Sequence, residues 1–179
     1  MRAFLAVPAT ALLLVIGSSS GAPASVVATP SYPVPASPVQ QAMPQLTLIA
    51  AGQSNMLGTE PYLAAAFPGY EVHLVPCAVG GTSIARWIPS GDLFRQCVQM
   101  VEQAGLTPDA VLFYQGEANA WSMDQSAPWL DGFRAFVDGM RATFGGIPLV
   151  YAQLGRALDV THGPEPGWDS IKFEQAHYR

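Results

Sequence analysis

Four short apolar runs alternate along the chain with segments of helical periodicity. The runs are LTLIAA at 46–51, EVHLVPC at 71–77, AVLFYQG at 110–116 and IPLVYAQL at 147–154. They are continuous, which is typical of strands covered on both faces. Residues 92–104 and 129–144 place apolar side chains at spacings of three and four, and a last helix is expected after Gly167. This alternation predicts a parallel sheet in a three-layer α/β/α sandwich.

The N-terminal 44 residues do not fit this pattern. Arg2 precedes an apolar stretch over residues 3–16, and Ala22-Pro23-Ala24 follows a run of small residues, which is typical of a secretory signal peptide over residues 1–24. A retained N-terminal anchor is the alternative. Residues 25–44 contain five prolines without periodicity, which predicts an extended linker. We therefore expect one domain over residues 45–179, exported to the extracellular space or the cell envelope.

Charge and composition narrow the range of partners. Removal of residues 1–24 leaves seven basic and thirteen acidic side chains, so the net charge changes from −5 to 7 − 13 = −6. Such a surface repels polyanions, and nucleic acid is not expected as a partner. The chain has no CxxC pair and no closely spaced histidines, so no metal site is expected. We also expect a monomer that has no membrane association beyond its export.

Cys77 and Cys97 are the only cysteines. In an exported chain a single pair can form a disulfide, and two free buried thiols are the alternative. The sequence does not give the distance between them, so both interpretations stay open at this point.

Glycines and small polar residues follow the first three apolar runs. These segments are GQSNM at 52–56, AVGGTS at 78–83 and QGEAN at 115–119. The carboxyl ends of parallel strands share one edge of a sheet, where binding sites collect.

Three kinds of residue in these segments could take part in acyl transfer. Ser54 could be a nucleophile on a sharp turn, or it could only cap a helix. Gly80 and Gly81 would let a backbone N–H approach an oxyanion, and Gln115 could offer a side-chain N–H. The alternatives are that the glycine pair only forms a tight turn and that Gln115 only caps a loop.

These three segments resemble successive blocks of the SGNH hydrolases. They are similar to the branch that contains carbohydrate esterase family six and the sialate O-acetylesterase-like proteins, and the longer stretches HLVPCAVGGTSIARW and LFYQGEANAW resemble its plant-type members. The resemblance runs from about Gln45 to the chain end. It implies a flavodoxin-like parallel sheet and an esterase that acts on O-acetylated carbohydrate, with no metal and no organic cofactor.

The resemblance also implies a role for each motif residue. Ser54 would be the nucleophile, and the oxyanion hole would consist of the Ser54 N–H, the Gly81 N–H and the Gln115 side chain. Gly80 could exchange roles with Gly81. The residues expected to support these loops are Asn55, Gly80 and Glu117.

A serine nucleophile also needs a base, normally a histidine oriented by a carboxylate. The resemblance implies an Asp-x-x-His block near the C-terminus, after one further strand. DVTH at 159–162 matches it literally and makes Asp159 and His162 candidates, but the following GWDSIKFEQAHYR resembles the helix before that block. His73 and His177 are expected on a strand and on the last helix.

Three alternatives therefore stay open for the base. His162 acts as the base, the domain is incomplete at its C-terminus and lacks the true block, or the chain binds acetylated carbohydrate without cleaving it.

Overall fold

Four strands form one parallel sheet, as the apolar runs predict. The computed structural model describes residues 42–155 and 165–178. The strands are β1 (Gln45–Gly52), β2 (Glu71–Pro76), β3 (Ala110–Tyr114) and β4 (Leu149–Tyr151). Their order is β2-β1-β3-β4, and every neighbouring pair is parallel. Their carboxyl ends therefore lie at one edge of the sheet.

Helices cover both sides of this sheet, which confirms the predicted three-layer α/β/α sandwich. They are α1 (Glu60–Ala66), α2 (Asp92–Ala104), α3 (Met123–Ser126), α4 (Trp129–Phe144) and α5 (Trp168–His177). The periodicity predicted α2, α4 and α5. It missed α1 because α1 buries no residue and so has no apolar stripe, and α3 because it is a single turn. No helix in the described part of the chain is long and apolar enough to cross a membrane.

Three strands are shorter than their apolar runs: β2 by one residue, β3 by two and β4 by five. The third run extends to Gly116, but β3 ends at Tyr114, since Gly116 has a φ of 151° that breaks the extended backbone. The fourth run covers residues 147–154, but β4 contains only three residues. It begins after Pro148, which has no N–H to donate to the neighbouring strand. The apolar runs therefore locate the strands but overestimate the length of three of them, most of all β4 at the edge of the described sheet.

An aromatic cluster fills the space between the sheet and α4. Phe113 of β3 stacks on Phe136 of α4 with ring centroids 4.3 Å apart, and Trp87 meets Phe136 edge to face at 6.2 Å. These rings are fully buried or nearly so, as are Trp129 and Phe133. Buried aromatic rings contribute large apolar areas and preferred mutual geometries. The cluster therefore fixes α4 against the sheet directly below the loops that follow the strands.

Cys77 and Cys97 form a disulfide, which resolves the alternative left open by the sequence. Their Cα atoms are 5.2 Å apart, and both side chains are buried. The bond joins the segment that follows β2 to the middle of α2. Gly80 and Gly81 lie three and four residues beyond Cys77, so the disulfide anchors the loop that contains them.

We expect the change of both cysteines to serine to lower the free energy of unfolding by about 3 kcal/mol, because the closed loop of about 20 residues no longer restricts the unfolded chain. Urea unfolding with and without reductant measures this effect. The serine variant is the control, since reductant should not change its midpoint. A wild-type chain whose midpoint does not respond to reductant would contradict the disulfide.

Candidate active site

The loops that follow β1, β2 and β3 meet in one cavity of about 270 Å³. Its lining residues are Gln53, Ser54, Gly81, Glu117, Ala118, Trp121, Glu165 and Trp168. Residues 53 and 54 follow β1, residue 81 follows β2, and residues 117 and 118 follow β3. The cavity therefore lies at the carboxyl edge of the sheet, where parallel topology places binding sites.

Ser54 is exposed and begins a short 3₁₀ helix, Ser54–Met56, at the end of β1. Gly52, two residues before Ser54, has a φ of 118°, and a Cβ at this position would lie 2.0 Å from the Tyr114 carbonyl oxygen. Only glycine allows β1 and β3 to approach this closely. The Gln53 N–H donates to the same Tyr114 oxygen at 2.8 Å. The chain therefore turns sharply over the sheet edge and presents the Ser54 side chain outward.

The glycine pair lies beside Ser54. The Val79 N–H donates to the Gly52 carbonyl at 2.9 Å, which holds the loop after β2 against the end of β1. A Cβ on Gly80 would lie 3.7 Å from the Ser54 Cβ, so the two backbones are adjacent. Gly81 has a φ of 68° and space around it, so backbone conformation, not crowding, explains the glycine here.

Two backbone amides at this point have no acceptor among the residues that the structure describes. Within residues 42–155 and 165–178, neither the Ser54 N–H nor the Gly81 N–H donates a hydrogen bond. Both residues are exposed and line the same cavity. Unpaired N–H groups beside a serine hydroxyl are the donors that an oxyanion requires.

Asn55 and Glu117 connect the loops after β1 and β3. The Asn55 side-chain amide donates to Glu117 Oε1, and the second oxygen of Glu117 is buried without a partner among the described residues. Burial raises the pKa of the Glu117 carboxyl. Burial also raises the pKa of the nearby Tyr114 hydroxyl, and the negative charge of Glu117 raises it further. The Asn55–Glu117 hydrogen bond joins two of the three loops that line the cavity.

Gln115 does not line the cavity, which corrects the expectation that its side chain offers an N–H to the oxyanion. It is completely buried. Its amide nitrogen donates to the Thr82 carbonyl at 3.0 Å and to Asn119 Oδ1 at 2.8 Å. Its side-chain oxygen accepts from Trp129 Nε1 at 2.6 Å. Both amide hydrogens are engaged inside the protein, so Gln115 stabilises the loops after β2 and β3 through buried hydrogen bonds.

Two polar residues of the same motifs have placements that the sequence did not reveal. Asn119 is buried, and its Oδ1 also accepts from the Ile84 N–H at 2.8 Å. Gln53 lines the cavity next to Ser54, and its side-chain oxygen accepts from the Ala118 N–H at 3.2 Å. GQSNM and QGEAN contain both residues, but a motif does not show which way each side chain points.

None of the histidines that the structure describes lines the cavity. His73 lies within β2 beside Glu71, and His177 is in the last turn of α5. The candidates Asp159 and His162 lie outside the described residues. No three His, Cys, Asp or Glu side chains lie close enough together in the described ranges to hold a metal ion.

Comparison with known proteins agrees with this architecture. A family model described as carbohydrate esterase, sialic acid-specific acetylesterase matches residues 59–176, more than half of the chain. The chain belongs to this family. Gly80, Gly81, Gln115 and Glu117 lie within the matched residues, whereas Ser54 and Asn55 precede them.

A solved structure of a protein from Arabidopsis thaliana is similar in fold. It shares 23% identity and a TM-score of 0.52, over 60% of this chain and 44% of that one. This chain therefore spans less than half of the length of that protein. At this identity the likeness concerns the fold alone. No curated protein matches the chain.

We expect Gln115→Ala to lower the free energy of unfolding by about 3–5 kcal/mol, because it leaves Trp129 Nε1 and the Thr82 carbonyl without partners in the interior. Urea unfolding measures the loss. The matched control is Gln153→Ala at an exposed position, with an expected loss below about 1 kcal/mol. A Gln115→Ala chain as stable as wild type would contradict the structural role assigned to this side chain.

Proposed function

We propose that the protein is a secreted serine esterase that removes O-acetyl groups from carbohydrate, with Ser54 as its nucleophile. The observation that carries the proposal is the cavity in which the exposed Ser54 side chain lies beside the Ser54 and Gly81 N–H groups, neither of which has an acceptor within the described ranges. Membership of a carbohydrate esterase family supports ester hydrolysis in general. The signal-like segment at residues 1–24 and the Cys77–Cys97 disulfide support export to an oxidising compartment.

The geometry is suited to acyl transfer through a covalent intermediate. A base takes the proton of Ser54 Oγ, which attacks the acetyl carbonyl carbon. The negative charge that forms on the carbonyl oxygen accepts hydrogen bonds from the Ser54 and Gly81 N–H groups, each of which contributes about 3 kcal/mol. The intermediate collapses, and the sugar oxygen leaves with a proton. Water then attacks the acetyl-serine, which releases acetate and restores the hydroxyl.

His162, with Asp159 as the carboxylate that would orient it, is this chain's own candidate for the base. If it acts in this way, His162→Gln should reduce ester hydrolysis as far as loss of the serine does. Full activity in that variant would place the base elsewhere.

Because none of the described histidines lines the cavity, a second candidate function is binding of acetylated carbohydrate without cleavage. Calorimetric binding without acetate release would favour the second function.

We expect Ser54→Ala to lower kcat/KM for 4-nitrophenyl acetate by at least about 1,000-fold, since the variant has no nucleophile. The matched control is Ser90→Ala, at an exposed serine away from the cavity, which should retain wild-type activity. Unfolding midpoints of both variants should stay near that of wild type. If Ser54→Ala keeps full activity in a folded chain, another residue is the nucleophile.

A further inference from the structure

The cavity has a second wall that the three motifs do not supply. Trp121, Glu165 and Trp168 line it together with Ser54. Trp121 is 63% exposed, although a free tryptophan side chain is costly to leave in water. Two indoles and a carboxylate thus lie within one small cavity next to the proposed nucleophile.

Direct packing brings the two tryptophans to the same cavity. The Gly167 N–H donates to the Ala120 carbonyl at 2.8 Å. The residues that follow these two in the chain, Trp168 and Trp121, both line the cavity. A Cβ on Gly167 would lie 2.7 Å from the Ser126 side chain, which shows how tightly these segments pack. Trp168 Nε1 also donates to the Gly155 carbonyl at 3.1 Å. The wall is therefore held by backbone contacts as well as by side chains.

The charged groups among the described lining residues of this cavity are all of one sign. Glu117 and Glu165 are the only charged side chains among its described lining residues, and none of those residues is a lysine, arginine or histidine. Glu117 is engaged by Asn55, whereas Glu165 makes no side-chain hydrogen bond within the described residues. A ligand carboxylate placed here would face like charge, with no compensating cation among the lining residues that the structure describes.

We propose that this second wall selects an uncharged O-acetylated sugar and rejects an anionic one. The indoles of Trp121 and Trp168 pack against the apolar face of the sugar ring, and Glu165 accepts hydrogen bonds from its hydroxyl groups. A sugar carboxylate is repelled by Glu165. Specificity of this kind rests on a repulsive element as much as on attraction. The inference rests on the proposed function, because that function places the acetyl group of the ligand at Ser54.

A matched pair of ligands tests this selection independently of catalysis. The ligands are the methyl glycoside of 9-O-acetylated sialic acid, which carries a carboxylate, and its C1 methyl ester, which has nearly the same size without the charge. An O-acetylated methyl xyloside is the neutral reference. Binding is measured by calorimetry and by tryptophan fluorescence, at low salt, in the full chain with Ser54→Ala so that no turnover occurs.

We expect the methyl ester and the xyloside to bind, and the ester to bind at least about tenfold more tightly than the acid. Glu165→Gln should narrow that gap to about threefold or less, and Trp121→Ala should weaken binding of all three ligands about tenfold or more. Glu60→Gln, at an exposed position on α1, is the matched control and should leave the gap unchanged. Equal binding of acid and ester, tighter binding of the acid, or no binding of either neutral ligand would overturn the inference.

Hydrolysis of 4-nitrophenyl acetate by the chain with Ser54 intact separates the two proposals. Selective binding without hydrolysis would refute the esterase and leave the inference standing. Hydrolysis that depends on Ser54, together with equal binding of acid and ester, would refute the inference alone.

Discussion

The Gln115 side chain is completely buried, and its oxygen and both of its amide hydrogens are engaged by different parts of the chain. Thr82 belongs to the loop after β2, Asn119 to the loop after β3, and Trp129 to the start of α4. A buried carboxamide with every hydrogen bond made rigidifies its surroundings, whereas a partly satisfied one is costly. The positions of the loops around the cavity are therefore set from the interior of the protein.

A second buried glutamine extends this network to the fourth strand end. Gln175 of α5 donates to the Gln115 backbone carbonyl at 3.0 Å and accepts from the Leu154 N–H at 2.7 Å. It thereby links α5, the end of β3 and the segment after β4. Electrostatic stabilisation of an oxyanion depends on donors that are in place before the reaction, so this interior network is what an esterase site requires. The anchored Cys77–Cys97 segment adds a covalent restraint on the Gly80–Gly81 loop.

The sequence predicted the sheet because strands buried on both faces must be continuously apolar, and it predicted α2 and α4 because each buries one stripe. It missed α1, which packs without any buried residue. The position of the site was predictable in outline, since parallel strands end at one edge. The direction of the Gln115 side chain was not, because β3 ends at Tyr114 and the next residue turns inward to partners that are distant in sequence. The second wall was hidden for the same reason: Trp121 and Trp168 reach the same cavity through contacts of Gly167 with Ala120 and Ser126, which are distant from it in sequence.

The most direct test of this account is a crystal structure of the chain after reaction with a 4-nitrophenyl phosphonate ester, which mimics the tetrahedral intermediate. We expect phosphorus to be bonded to Ser54 Oγ and a phosphonate oxygen to lie about 3 Å from the backbone nitrogens of both Ser54 and Gly81. The Gln115 amide should still donate to Thr82 and Asn119. Attachment at another residue, or a phosphonate oxygen bound by neither backbone nitrogen, would contradict the proposed site.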